Sequence, residues 1–204
     1  DFVIAHDLVA VPTEVRCDVT EIPPYYKWAF AMMDYPGAFE PEESGAHYWM
    51  NSPDPAWPAA DQEAWLRRFS YASVVNTSAH EAYPGHFVQS MHNRRAASPI
   101  ARSFGAFTHW EGWAHYVEEM MLEAGYGDGD PALRAAQLQG ALLRDARYLA
   151  AIGLHCDGMT VAEATALIAD ATGLEHLPAE REALRGTFDP GYGSYTLGKL
   201  MLRK

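Results

Sequence analysis

The stretch His80-Glu81-Ala82-Tyr83-Pro84-Gly85-His86 lies near the middle of the chain and decides how the surrounding helix must fold. It places two imidazoles and a carboxylate close together, and these are side chains that build hydrolytic zinc sites. In the usual zinc-protease motif the histidines lie at i and i+4 on one helical face, with a glutamate between them as general base. Here the second histidine lies at i+6, about 240° around an unbroken helix, and would point away from the first.

Pro84 and Gly85 supply the interruption that this spacing needs. Pro84 has no N–H for the carbonyl of His80 and its ring crowds that carbonyl, so the helix is expected to kink or bulge. Two π-bulges, or a short break, would return His86 to the face of His80. We interpret the stretch as a zinc-binding motif with a two-residue insertion in a helix over about 71–94. The alternative is an accidental His-Glu pair beside a Pro-Gly turn.

A stripe of polar residues further along the chain predicts the third metal ligand. Glu111, His115 and Glu118 lie at i, i+4 and i+7, on one face of a helix predicted over 107–124. Aromatic residues flank this stripe and indicate burial: Trp110, Trp113 and Tyr116. Because a buried carboxylate needs a counter-charge, which a metal supplies, we predict that Glu111 is the ligand. His115 and Glu118 would orient the ligands. The alternative is an ordinary polar helix surface.

The distribution of proline divides the chain into two regions. Residues 1–58 carry most of the prolines and short runs typical of strands, which predict a small antiparallel sheet with long loops. Residues 59–204 show helical patterns, of which the last four are predicted over 131–154, 160–172, 178–184 and 194–202. We therefore predict a mainly α protein in which a small β-containing N-terminal lobe packs on a helical metal-site domain.

Composition and charge exclude several classes of protein. The chain has 204 residues, of which 49% are hydrophobic and 21% charged, as in ordinary globular domains. Its net charge of −12 argues against nucleic acid as a partner and against a polybasic membrane anchor. No apolar run approaches the ~20 residues of a membrane span. Cys17 and Cys156 are too far apart in sequence for a cysteine zinc motif. The sequence does not distinguish a cytoplasmic protein from an exported one.

Four motifs in the same order resemble the family known as domain of unknown function 885. The first two are the stretch over 80–86 and Glu-Gly-Trp-Ala-His-Tyr-Val-Glu over 111–118. The others are Gly-Leu-His over 153–155 and the segment over 190–199, which contains Pro-Gly, Ser-Tyr and Gly-Lys pairs. Members are bacterial proteins usually regarded as zinc metallopeptidases of the gluzincin type. The resemblance therefore implies a helical zinc-metallopeptidase-like domain that acts on a peptide or small amide substrate.

The resemblance also implies roles for individual residues. One Zn²⁺ would be held by His80, His86 and Glu111, and would lower the pKa of its water toward about 7. Glu81 would act as general base, taking the proton of that water and returning it to the leaving amine. Tyr195 is the first choice, and His155 the second, as the donor that stabilises the oxyanion.

The sequence departs from the family in three respects, and alternatives remain open. Phe87 stands where a second histidine often follows His86, and Ala151 where an acidic residue tends to precede Gly-Leu-His. Full members are much longer, so we expect this chain to be a C-terminal portion whose partner is the missing N-terminal portion. A zinc hydrolase of non-peptide amides or esters, and an inactive metal-binding fragment, are the alternatives. A di-iron carboxylate site is not expected, since its paired Glu-x-x-His motifs are lacking.

Overall fold

Three short strands lie in the described part of the first fifty residues. The computed structural model describes residues 1–12, 14–41 and 44–204. After a single helical turn, α1 (Phe2–Ala5), come β1 (Cys17–Glu21), β2 (Ala31–Asp34) and β3 (Ala46–Met50). The short strands predicted for residues 1–58 are therefore present in this region.

The sheet is mixed rather than antiparallel, which corrects the prediction. Its strand order is β1-β3-β2; β3 pairs in parallel with β1 and antiparallel with β2. The central strand is thus the last of the three in sequence, and the chain between β1 and β3 must cross back to reach it. Local sequence patterns show which residues are extended but not which strands pair, and so they could not predict this order.

Helices dominate the remainder of the chain, and the prediction of a mainly α protein with an N-terminal β-containing part is confirmed. They are α2 (Ala59–Leu66), α3 (Tyr71–Glu81), α4 (His86–Arg94), α5 (Pro99–Ser103), α6 (Phe107–Glu123), α7 (Pro131–Cys156), α8 (Val161–Thr172), α9 (His176–Gly186) and α10 (Ser194–Leu202). Short 3₁₀ turns lie at Pro24–Tyr26, Arg67–Phe69 and Pro190–Gly193.

Two hydrophobic clusters hold these elements around the metal-site motif. In the first, the sheet packs on α4, with Met33 and Tyr48 against Phe87 and Val88. In the second, α7, α8 and α9 pack around Ile168 through five alanines, whose small side chains let the helices approach closely: Ala146, Ala150, Ala164, Ala179 and Ala183. The segment over 1–58 therefore shares a core with the helices, and the boundary at residue 58 stays a prediction.

Helices α6 and α10 pack backbone against backbone through two glycines. A Cβ on Gly112 would lie 2.5 Å from the Cα of Gly198, and a Cβ on Gly198 would lie 2.0 Å from the carbonyl oxygen of Thr108. These are closer than any real Cβ contact, so only glycine permits this approach. The contact places Tyr195, at the start of α10, beside the motif carried by α6.

We expect Gly198→Ala to destabilise the fold by about 1–3 kcal/mol, because the added methyl overlaps the backbone of α6 and outweighs the gain in helix propensity. Urea denaturation measures the free energy of unfolding. The matched control is Gly37→Ala, whose Cβ would lie 3.6 Å from its nearest neighbour and which should change stability by less than about 0.5 kcal/mol. Equal stability of the two variants would contradict the close approach of α6 and α10.

Candidate metal centre

A short break between α3 and α4 brings the two motif histidines together. Helix α3 ends at Glu81 and α4 begins at His86, so a break, and not a pair of π-bulges, absorbs the two extra residues. Gly85 approaches the preceding turn closely: a Cβ there would lie 1.7 Å from the carbonyl oxygen of His80. The imidazole rings of His80 and His86 lie nearly perpendicular, with their centroids 4.9 Å apart.

Glu111 completes a group of three candidate metal ligands. Its Oε2 lies 3.5 Å from Nε2 of His80 and 3.4 Å from Nε2 of His86. Three donor atoms, one from each residue, all lie within 4.8 Å of one another. Ligand atoms about 2.1 Å from a tetrahedral zinc ion are about 3.4 Å apart. The two distances from Oε2 of Glu111 to the imidazole nitrogens therefore fit zinc closely. The structure thus brings together all three predicted ligands.

The burial of this group also fits a cation. The side chains of His80, His86 and Glu111 are only 5%, 12% and 12% exposed, and Oε2 of Glu111 is buried with no hydrogen-bond partner in the described chain. A buried carboxylate oxygen without a partner costs free energy, which a metal ion would recover. Nitrogen and oxygen donors of this kind suit zinc.

Glu118 orients His80 from behind. Its Oε1 accepts a hydrogen bond from Nδ1 of His80 at 2.8 Å, so the other ring nitrogen is free to face Glu111. Arg144 lies 2.7 Å from the same oxygen, and Asn76 donates to Oε2 at 2.9 Å. Burial alone would raise the pKa of Glu118, but the charge of Arg144, the nearby imidazole of His115 and the hydrogen bond from His80 hold it well below its usual range. The orienting role predicted for Glu118 therefore has a geometric basis.

Two of these supporting residues were missed in the sequence. Asn76 lies one helical turn before His80, so its position on the motif face was a usable signal. Arg144 lies on α7, far along the chain, and no local pattern connects it with the motif. His115, which was predicted to orient a ligand, lies beside Glu118 with Nδ1 3.6 Å from Oε1. Burial lowers its pKa to about 4, so it remains neutral at physiological pH.

The ionisation of the three candidate ligands reflects their closeness. Burial and the charge of Arg144 disfavour a protonated His80, but the nearby carboxylates of Glu111 and Glu118 raise its pKa to about 9. Burial would raise the pKa of Glu111, yet the nearby imidazoles of His86 and His80 hold it well below the usual range. Without metal the carboxylate thus stays ionised and His80 carries a proton, which metal binding must displace.

The group lies in the wall of a cavity of about 540 Å³. Glu81 and Tyr195 line the same cavity. Glu81 is buried, and its carboxylate has no hydrogen bond or ion pair within the described residues. The ring of Tyr195 stacks on His80 at a centroid distance of 6.2 Å, and its hydroxyl accepts a hydrogen bond from Arg185 at 3.2 Å. Burial and the charge of Glu111 raise the pKa of Tyr195, so its hydroxyl stays protonated.

His155, the second choice as oxyanion donor, does not lie with this group in the structure. Its Nε2 donates to the carbonyl oxygen of Gly186 at 2.8 Å, and it does not line the cavity. The side chain instead ties the end of α7 to the end of α9. Sequence spacing could not show this, because the ring nitrogen is used by a residue that is distant in sequence.

A second cluster of charged groups lines the cavity and is called here the arginine face: Arg68, Arg147 and Arg185. Glu182 lies between two of them, with Oε1 2.9 Å from Arg68 and Oε2 2.7 Å from Arg147. Burial would raise the pKa of Glu182, but the charges of Arg147 and Arg68 lower it to about 2. The arginine face was missed in the sequence because its members come from three separate elements.

Acid should therefore destabilise the fold through Glu182. Its pKa is lower in the folded than in the unfolded chain, so its contribution is fully present above pH ~4.5 and lost as pH falls toward ~2. The change is on the order of 3 kcal/mol. Urea unfolding at a series of pH values measures it. Glu182→Gln should lower stability at neutral pH by about 3–5 kcal/mol and flatten this acid slope. An unchanged slope in the variant would contradict the ion pairs.

Fold and site together define a mostly helical protein with a buried His-His-Glu group in a cavity wall. The chain belongs to the family described as bacterial protein of unknown function (DUF885), whose profile matches residues 1–204. No curated protein matches the chain. None of the helices in the described ranges is long and apolar enough to cross a membrane.

Two solved structures have the same fold over nearly the whole chain. A candidate lipoprotein of unknown function from Shewanella oneidensis is 27% identical, with a TM-score of 0.80, and the match covers 99% of this chain and 36% of that one. A candidate lipoprotein from Colwellia psychrerythraea is 24% identical, with a TM-score of 0.80, covering 98% of this chain and 33% of that one. The chain therefore spans about a third of the length of these two proteins.

Proposed function

We propose that the chain carries the catalytic centre of a zinc-dependent metallopeptidase. The observation that carries this proposal is the convergence of His80, His86 and Glu111 within 4.8 Å at the wall of a cavity that Glu81 also lines. Three nitrogen and oxygen ligands with one open position are typical of catalytic zinc, whereas structural zinc is usually enclosed by four ligands. Because the chain spans about a third of its two structural relatives, the activity of the whole protein is part of the proposal.

The donor set determines what a metal would contribute. His80, His86 and Glu111 would hold zinc, which would supply a Lewis acid able to make water a nucleophile near neutral pH and to polarise a carbonyl. The chain itself orients these ligands, because Glu118 accepts a hydrogen bond from Nδ1 of His80. The low exposure of the three side chains excludes bulk water.

Glu81 is the group that moves protons. As the last residue of α3 it follows His80 directly and lines the cavity, and its carboxylate has no competing partner in the described chain. It would accept a proton from the attacking water and deliver it to the amide nitrogen as the C–N bond breaks. Water and amide are thereby converted to a carboxylic acid and an amine, with no other reactant required.

Tyr195 would stabilise the negative charge that develops on the carbonyl oxygen. Its hydroxyl accepts from Arg185, which leaves the phenolic hydrogen free to donate, and its raised pKa keeps that hydrogen in place. We expect Tyr195→Phe to lower kcat about a hundredfold with little change in bound zinc, as measured by steady-state kinetics and metal analysis. Tyr148→Phe on α7 is the control; equal activity of the two variants would contradict the role.

Metal analysis and a substrate panel test the proposal together. We expect about one zinc per chain in protein purified without chelator, and loss of hydrolysis on chelation that added zinc restores. Peptides, non-peptide amides and simple esters form the panel. Hydrolysis of peptides supports a peptidase, hydrolysis of esters alone replaces it with another zinc hydrolase, and bound zinc with no hydrolysis of any substrate contradicts a catalytic role for this chain.

A further inference from the structure

The arginine face concentrates positive charge at one part of the cavity wall of an acidic protein. Its members come from separate elements: Arg68 from the 3₁₀ turn after α2, Arg147 from α7 and Arg185 from α9. The whole chain has a net charge of −12, so this concentration is not a consequence of general composition. Three elements converge to present it to the cavity that contains the candidate metal centre.

Among the described residues, the carboxylates that pair with the arginine face do not balance its charge. Glu182 serves both Arg68 and Arg147, and Asp189 pairs with Arg185 at 2.9 Å, which leaves one positive charge in excess. The three arginine side chains are only 11%, 9% and 14% exposed, so water screens this charge poorly. An unbalanced charge in such a place is costly, and an anion in the cavity would remove the imbalance.

Aromatic rings hold the guanidinium planes in place. Arg68 lies over the ring of Phe30 at 4.2 Å, and Arg147 and Arg185 lie over the ring of Tyr192 at 5.2 Å and 5.1 Å. Stacking fixes the planes and leaves the N–H edges available to an acceptor. Nη1 of Arg68 and Nη1 of Arg147 have no acceptor among the described residues, whereas the paired oxygens of a carboxylate match such edges.

Tyr195 connects the arginine face with the candidate metal centre. Its ring lies 6.2 Å from the ring of His80 and 5.8 Å from the guanidinium carbon of Arg147. The distance between the guanidinium carbon of Arg147 and the ring of His80 is therefore at most the sum of these two distances. One extended residue spans about 3.5 Å, so an anionic group one or two residues beyond a bond at the metal centre would reach the arginine face.

We propose that the arginine face binds a carboxylate of the substrate, one or two residues beyond the bond that is cleaved. That this ligand is a substrate depends on the peptidase activity proposed above, whereas the binding of the carboxylate does not. Two sources have this chemistry: the free α-carboxylate at the end of a peptide, and the side chain of an internal aspartate or glutamate. A site for the first would make the protein a carboxypeptidase.

Equilibrium binding to the Glu81→Gln chain tests the proposal without requiring hydrolysis. Isothermal titration calorimetry compares N-acetyl-Ala-Ala with its carboxyl-terminal amide, and with N-acetyl-Ala-Glu amide as the side-chain source. We expect at least one carboxylate ligand to bind about tenfold to hundredfold more tightly than the uncharged amide. The preferred ligand identifies the source. Equal binding of all three ligands, or no measurable binding of any, would overturn the inference.

Substitution of one arginine locates the effect. Arg68→Gln leaves Glu182 paired with Arg147 through two hydrogen bonds, and should remove most of the preference for the carboxylate ligand. Arg181→Gln is the matched control, since Arg181 is exposed on α9, lies over Trp57 and does not line the cavity. Circular dichroism checks that each variant is folded. A folded Arg68→Gln chain with its preference intact would overturn the assignment to this face.

The outcomes separate this inference from the proposed function. A preference for the carboxylate ligand without hydrolysis of any peptide would refute the peptidase and leave the carboxylate site standing. Hydrolysis at equal rates of free-acid, amidated and glutamate-containing peptides, with equal binding, would support the peptidase and overturn the carboxylate site.

Discussion

Glu81→Gln is expected to lower the rate of peptide hydrolysis by about a hundredfold to ten-thousandfold while zinc remains bound. Glutamine has nearly the shape of glutamate, but its amide cannot accept the proton of the attacking water. Glu81 is not one of the three converging ligands, so its replacement leaves His80, His86 and Glu111 in place. The measurements are kcat/KM for a peptide substrate and zinc content per chain.

The control for this change is Glu123→Gln, an exposed carboxylate at the end of α6 that does not line the cavity. It removes the same charge and should leave both activity and zinc content unchanged. Full activity in Glu81→Gln would show that another group is the base. Loss of zinc from the variant would assign Glu81 a role in holding the metal instead.

Gly85→Ala is expected to abolish zinc binding although it removes no ligand. The new Cβ would lie 1.7 Å from the carbonyl oxygen of His80 and 2.5 Å from that of Ala79, and both atoms belong to backbone that cannot swing aside. The end of α3 or the start of α4 must then move. Because zinc requires its ligands at about 2.0–2.2 Å, a shift of this size separates the histidines.

Zinc content measured after dialysis is the readout, and His80→Ala is the reference for complete loss of the site. Gly45→Ala is the matched control, because a Cβ there meets nothing within 4 Å. It should bind zinc as the parent chain does. A Gly85→Ala chain that retains one zinc would show that the break between α3 and α4 does not set the spacing of the histidines.

The candidate ligands could be selected from the sequence because their chemistry is local. His80 and Glu81 are neighbours, and Pro84 excludes a regular helix before His86, so the interruption follows from proline geometry alone. Glu111 could be selected because a carboxylate among tryptophans indicates a buried charge. Even so, the form of the interruption, a break and not two bulges, depended on how closely Gly85 approaches the carbonyl of His80.

The supporting residues could not be predicted in the same way. Arg144 reaches Glu118 from α7, and His155 is drawn away to the carbonyl oxygen of Gly186. In both cases the partner lies more than twenty residues away in sequence. A histidine next to a helix end has the same local sequence whether its ring nitrogen faces a cavity or a neighbouring helix. Its role therefore follows only from the packing of the helices.

The sequence by itself determined the helical class, the proline interruption and the three candidate ligands, because periodicity, proline sterics and side-chain chemistry act over a few residues. The tertiary structure decided the mixed order of the sheet, the close contact of α6 with α10 and the arginine face. Each of these depends on which segments, distant in sequence, pack together. The free energy of this packing comes from burial and charge pairing across the whole chain.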